Sequence, residues 1–172
     1  MIGFLRGEYE GEHVTLHAGE LASGLVPPND LDFHIGSAVR VAGAERIGHG
    51  VAIRHEKGAK KLLRRMDRED ILVEQCLTSN EQILEISGRR HSFPVYRRFG
   101  VPIALCTDDE GVSRTDLTEQ YLIATREYDL SYGALKGISR DSLEHGFLQA
   151  TDKRAALRDL DADFRAFERR FR

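Results

Sequence analysis

Four short runs of β character, at residues 14–17, 46–48, 71–76 and 101–106, each end on polar side chains. That repetition narrows the folds open to this chain more than any other feature. The runs begin about 25 to 32 residues apart, the length of a βα unit with its crossover helix. Segments of helical spacing lie between them, at residues 51–66, 80–86 and 95–99. After the last run come helical segments at 117–128 and 132–147 and a charged one from about residue 152 to 170. Strand and helix in alternation predict an α/β fold with a parallel sheet and helices outside it. No short repeat or low-complexity linker interrupts the pattern, so residues 1–172 read as a single domain.

The polar residues recur at one place relative to the strands. His17 and Glu20 follow the first run, His49 the second, Thr78, Ser79 and Asn80 the third, and Asp108 and Asp109 the fourth. In parallel α/β folds the ligand site lies at the carboxyl ends of the strands, and in a barrel these ends converge. A histidine nitrogen and a carboxylate oxygen are both good zinc ligands, and His17 with Asp108 offers one of each. Zinc lowers the pKa of a bound water to about 7. Glu20, three residues beyond His17, is placed to pass protons without binding metal. His49 lies between Gly48 and Gly50, which let backbone or substrate come close. Plainer readings stand beside these. A lone histidine such as His17 is more often a hydrogen-bonded structural residue than a ligand, and "TDD" alone more often a turn or helix cap. His13, His34, His55, His91 and His145 read as structural, and Glu144 and His145 as the surface of a helix.

Charge and composition exclude several partners. A net charge of −3 gives no general reason to bind nucleic acid or an anionic membrane. Lys57, Lys60, Lys61, Arg64, Arg65 and Arg68 fall at helical spacing beside Leu62, Leu63 and Met66, the pattern of a solvated amphipathic face. Cys76 and Cys106 form neither a disulfide framework nor a CxxC pair. No stretch of 18 consecutive apolar residues and no signal-peptide pattern occur, so the expected location is cytoplasmic.

Taken together, "HAGE" (residues 17–20), "RIGHG" (46–50), "EQCLTSN" (74–80) and "TDDEGVSRTDLTEQY" (107–121) resemble the adenosine deaminase family of the amidohydrolase superfamily. Their order and strand-end placement match as well, and the resemblance covers nearly the whole chain. It implies a (β/α)₈ barrel of TIM type with one catalytic zinc and hydrolytic deamination of adenosine to inosine and ammonia. By the same resemblance His17 and Asp108 look like zinc ligands and Glu20 like the group that protonates the purine ring nitrogen. His49 looks like the residue that orients the attacking hydroxide. Asp109 looks like an acceptor gripping the purine ring, and Gly7, in "LRGE", like a glycine whose backbone contacts the substrate. The implied ligand is a small purine nucleoside.

The sequence departs from the family in one large respect. The family's first strand carries an HxH pair that supplies two further zinc ligands, and no HxH occurs in this chain. His13 and His17 would lie on one face of an extended run but about 13 Å apart, too far to share a zinc. "EQCLTSN" lacks a proline often seen there, and Asp141 stands where the family usually has asparagine. A full barrel takes about 250 residues. The chain is therefore expected to form the C-terminal part of the barrel, about four to five βα units, with two raw sheet edges. Two protein ligands fall short of the three a catalytic zinc normally has. Two readings follow. One is a deaminase-type zinc hydrolase incomplete as an isolated chain. The other is a non-catalytic remnant that binds purine or pairs with a second copy or a separate N-terminal half.

Overall fold

The structure is a computed structural model that describes residue 2, residues 7 and 8, and residues 11–171. Four strands, β1 (Thr15–Ala18), β2 (Arg46–His49), β3 (Leu72–Gln75) and β4 (Ile103–Leu105), form one sheet in that order. Every pairing is parallel, as the alternating pattern predicts. The register carries two rows across the sheet. Leu16, Ile47, Val73 and Ile103 are successive partners, and so are His17, Gly48, Glu74 and Ala104. Side chains alternate between faces along a strand, so the first row is an apolar stripe on one face and the second crosses the other.

The apolar stripe is covered by helices. α1 (His34–Ser37) continues as a π turn over Ala38–Ala42, and α2 (Ala59–Arg68), α3 (Leu77–Leu84) and α4 (Phe93–Phe99) follow the next strands. Ile35, Val39, Leu62, Leu63, Met66, Phe93 and Tyr96 join Ile47, Val73 and Ile103 in the main core. The basic residues of α2 face solvent while Leu62, Leu63 and Met66 are buried, as their spacing predicts. α5 (Glu110–Ser113), α6 (Leu117–Tyr128), α7 (Tyr132–Glu144) and α8 (Ala150–Glu168) complete the chain. Asp116 and Ser131 cap α6 and α7, their side-chain oxygens accepting from Glu119 N at 2.8 Å and Ala134 N at 3.2 Å. Among the described residues no helix is long and apolar enough to cross a membrane.

Three expectations need correction. Residues 51–66 do not form one helix, because Gly58 takes a left-handed φ of +72° and separates a 3₁₀ turn (Val51–Arg54) from α2. The break lets the buried Glu56 carboxylate accept the backbone N–H groups of Ile35, at 2.5 Å, and Gly36, at 3.1 Å, in the first turn of α1. The two sheet edges are also unlike each other. All three residues of β4 are buried and α7 packs against that strand, whereas Thr15 and His17 of β1 are exposed. Finally, the His145 side chain is only 11% exposed. Its carbonyl accepts from Arg46 Nη1 at 3.0 Å, tying the end of α7 to β2.

Ile47 is fully buried at the centre of the apolar stripe. Ile47→Ala is expected to destabilise the chain by about 2–5 kcal/mol. Urea denaturation should show a lower midpoint with an unchanged slope. A midpoint within error of the parent's would contradict the core assigned here.

Candidate active site

The carboxyl ends of the strands converge on one mouth. β1 delivers His17 directly, and Glu20 follows two residues after that strand ends. His49 is the last residue of β2 and Asp108 lies three residues past β4. His49 and Asp108 both leave extended backbone there, with φ of +67° and +59°. Left-handed conformations at non-glycine residues cluster at functional sites because the surrounding structure must hold them.

Glu20 bridges two histidines. One carboxylate oxygen lies 3.4 Å from His17 Nδ1 and the other 3.4 Å from His49 Nε2. His49 Nε2 is also 3.9 Å from Asp108 Oδ2. The two imidazoles meet edge to face, 4.6 Å between centroids. His17 occupies the space a side chain at Gly48 would take, since a Cβ there would lie 2.7 Å from His17 Cδ2. Among the described residues two groups of metal-donor atoms result: His17, Glu20 and His49, and His49, Cys76 and Asp108. His17 falls in one group and Asp108 in the other, with His49 common to both.

Side chains behind the mouth fix this arrangement. Ser79 Oγ donates to Asp108 Oδ2 at 2.6 Å. Gln75 Nε2 donates to the His49 carbonyl at 2.7 Å, and Tyr96 OH donates to the Gly50 carbonyl at 2.8 Å. Asn80 Nδ2 lies 3.0 Å from His49 Nδ1, and Asn80 Oδ1 lies 3.0 Å from His91 Nε2. The Phe93 N–H donates to His91 Nδ1 at 3.1 Å. Gln120 ties the β4 exit to α3, donating to Thr78 Oγ1 at 2.6 Å and Thr115 Oγ1 at 2.9 Å.

Burial sets the ionisation of the histidines behind the mouth. It pushes the His49 pKa down; Glu20 opposes that shift and His17 adds to it. Burial, with smaller effects of His49 and Arg54, brings His91 to about 4. Burial also raises both cysteine thiols, Cys106 to about 12 and Cys76 further. Both are thiols at neutral pH.

Of the residues singled out from the sequence, His17, Glu20, His49 and Asp108 are brought together. Asp109 is exposed at the N-cap of α5 and makes no side-chain hydrogen bond among the described residues. Gly7 is an exposed helical residue, and no atom lies within 4 Å of where its Cβ would be. Ser79 and Asn80 stand out in the sequence only as polar residues at a strand end, and His91 reads as structural. Its hydrogen bond to Asn80 links it to the mouth after all. Gln75 is the last residue of β3, beside Glu74, and is fully buried, which its place at a strand end does not announce.

The family model for adenosine deaminase matches residues 3–163. The adenosine deaminase of Escherichia coli O1:K1 is 34% identical over 153 residues, 88% of this chain and 43% of that protein. The chain thus spans less than half the length of the curated relatives it matches. Among solved structures, the N6-methyl-AMP deaminase of Arabidopsis thaliana superposes with a TM-score of 0.70 at 29% identity, over 87% of this chain and 41% of its own. An amidohydrolase from Burkholderia ambifaria with bound Zn superposes with a TM-score of 0.76 at 19% identity, over 91% and 41%. That likeness concerns the fold, and it agrees with a four-stranded part of a TIM-type barrel.

His91 gives a pH signature. It is neutral in the fold down to about pH 4, whereas an unfolded histidine takes a proton below about pH 6.5. Between those values the unfolded chain binds more protons, so stability falls as pH drops, by on the order of 3 kcal/mol from this residue. Below pH 4 its contribution is flat. His91→Gln is expected to flatten the decline, measured as urea midpoints at pH 7 and pH 4.5. Equal losses in parent and variant would refute the assignment.

Proposed function

The chain belongs to the adenosine deaminase family, and from that premise we propose that it supplies part of the site of a zinc hydrolase acting on purine nucleosides. The reaction is hydrolytic deamination, in which adenosine and water give inosine and ammonia. The observation that carries the reading is the Glu20 carboxylate set 3.4 Å from each of two histidines at the carboxyl ends of parallel strands, with Asp108 beside them.

The donor set fits zinc in kind. A histidine nitrogen and a carboxylate oxygen are ordinary zinc donors, and His17 and Asp108 would hold the ion. Cys76, buried behind Asp108, is left out of this reading. When bound, zinc makes a water acidic enough to act as nucleophile near neutral pH. The chain's own residues handle the rest. Glu20, 31% exposed in the mouth, is placed to carry a proton to the purine ring nitrogen, which makes the ring carbon bearing the amine a better electrophile. His49 faces the attacking oxygen and fixes its direction. The Asp109 carboxylate, uncommitted within the described residues, accepts a hydrogen bond from the purine. Gly7 is the candidate for backbone contact with the substrate.

A complete zinc site needs at least a third protein ligand. On this reading it comes from an HxH strand outside the described residues, supplied by a preceding segment, a second copy or a separate chain. The exposure of Thr15 and His17, beside a cleft of about 470 Å³ lined by Leu16, Phe33, Ala38 and Val41, leaves β1 open to a further strand of such a barrel. A protein confined to binding purine would keep Asp109 and lose the need for Glu20. A cytoplasmic location belongs to the same proposal.

Zinc titration of the purified chain against a chromogenic chelator tests the ligands. His17→Ala and Asp108→Ala are each expected to weaken zinc binding at least about tenfold, the scale of losing support at a metal site. Glu20→Gln should leave it within about threefold. Ammonia release from adenosine is expected at the buffer rate for the chain alone. It should rise when a polypeptide carrying an HxH strand is added, and not with Glu20→Gln. Zinc binding indifferent to both alanine variants would reject the site.

A further inference from the structure

The hydrogen-bond ladder behind His49 has only one consistent set of proton positions. It begins at a backbone amide, which can only donate. The Phe93 N–H donates to His91 Nδ1, so that nitrogen carries a lone pair. A neutral imidazole has one donor and one acceptor, so the His91 proton is on Nε2 and points to Asn80 Oδ1, 3.0 Å away. This orients the Asn80 amide. Turned the other way, it would require both nitrogens of His91 to accept, which a neutral ring cannot do. Asn80 Nδ2 therefore donates to His49 Nδ1 at 3.0 Å. His49 must carry its own proton on Nε2, the nitrogen 3.4 Å from Glu20 and 3.9 Å from Asp108.

We propose that Asn80 and His91 are positioning residues that lock His49 in its Nε2–H tautomer, so that His49 meets the site as a hydrogen-bond donor and neither as a metal ligand nor as a proton acceptor. The geometry leaves little freedom. His49, Asn80 and His91 are each at most 1% exposed, so no solvent stands in for a lost partner. A ligating His49 would need its Nε2 lone pair, with the proton moved to Nδ1, where the Asn80 amide already points a hydrogen. The ladder thus sorts the donor groups at the mouth. It removes the residue common to both and leaves His17 and Asp108 as the metal donors. It also gives the proton-accepting role to Glu20. The inference deepens the proposed function and rests on it only for what the Nε2 proton meets; the proton's position is a property of this chain alone.

Long-range ¹H–¹⁵N correlation spectra of the ¹⁵N-labelled chain at neutral pH read each ring nitrogen. His49 and His91 are both expected to show an unprotonated Nδ1 and a protonated Nε2. Asn80→Asp keeps the shape but can only accept, so a proton should appear at His49 Nδ1. His91→Gln still donates and should leave His49 unchanged, whereas His91→Glu turns the Asn80 amide and should move the proton to Nδ1. The histidine pair keeps the test open if Asn80→Asp does not fold. A folded Asn80→Asp or His91→Glu variant with His49 still unprotonated at Nδ1 would overturn the proposal, as would a parent His49 protonated there. Zinc alone, added at one equivalent, is expected to shift His17 and leave the His49 pattern intact. Loss of the Nε2 proton to the metal would also overturn it. If zinc shifts neither residue, the zinc site fails while the tautomer assignment stands.

Discussion

The backbone turns left-handed twice in succession at the end of β2, at His49 and Gly50, and the hydrogen bonds holding it there govern where the site's side chains fall. For a non-glycine residue such a conformation costs on the order of 1–3 kcal/mol. Here Gly50 N donates to the Ala18 carbonyl at 3.0 Å, Gln75 donates to the His49 carbonyl and Tyr96 to the Gly50 carbonyl. Each such bond contributes about 1 kcal/mol net, and leaving either buried carbonyl without a partner would cost about 1–3 kcal/mol more. The three bonds together outweigh the strain. Gly50 cannot be exchanged for a residue with a side chain, because its Cβ would run into the Tyr96 hydroxyl. Strand β3 and helix α4, through Gln75 and Tyr96, therefore set the exit of β2.

The same arrangement decides the charge state of the mouth. Two carboxylates, Glu20 and Asp108, lie within 4 Å of His49 Nε2 and favour an imidazolium. Burial opposes them and is the larger effect, so the ring is neutral near neutral pH. On the proposed reading a neutral histidine between the two carboxylates adds no positive charge at the rim, which suits a divalent cation. An imidazolium would compete with the cation and also place a proton on Nδ1 against the Asn80 amide. Burial at the base of the site and polarity at its rim thus act together, and the sequence arranges both by ending apolar strands on charged residues.

Much of this is legible in the chain because it is local. The spacing of the β runs places four parallel strands, and 117–128 reads as a helix with the bounds that α6 has. His17, Glu20, His49 and Asp108 announce themselves as polar residues where an apolar run stops. What escapes is long-range. Nothing near Glu56 signals that its carboxylate will reach the first turn of α1, and so the left-handed break at Gly58 goes unseen. His91 acts on His49 only through Asn80, eleven residues earlier in the chain, a pairing without periodicity to betray it. The burial of β4 depends on α7, which arrives some thirty residues later and follows no rule that a strand pattern contains.

Exposure across the site is not even. His49 is 1% exposed, Asp108 18%, Glu20 31% and His17 66%. The values are lowest at β2 and higher at β4 and β1, the two edge strands, each without an outer neighbour among the described residues. On the proposed reading His17 is a zinc ligand with two thirds of its side chain in water; Glu20 and His49 lie against its ring, and side-chain entropy opposes coordination. A strand beside β1 would bury His17, while on the proposed reading the strand bearing the missing donors would pair with β4, as the first strand of a closed barrel pairs with its last. The metal's remaining ligands and the cover for His17 then arrive on two elements, at the two unpaired edges of the sheet. That couples closure of the sheet to assembly of the chemistry: with both edges unpaired, His17 stays largely in water and lacks its fellow ligands.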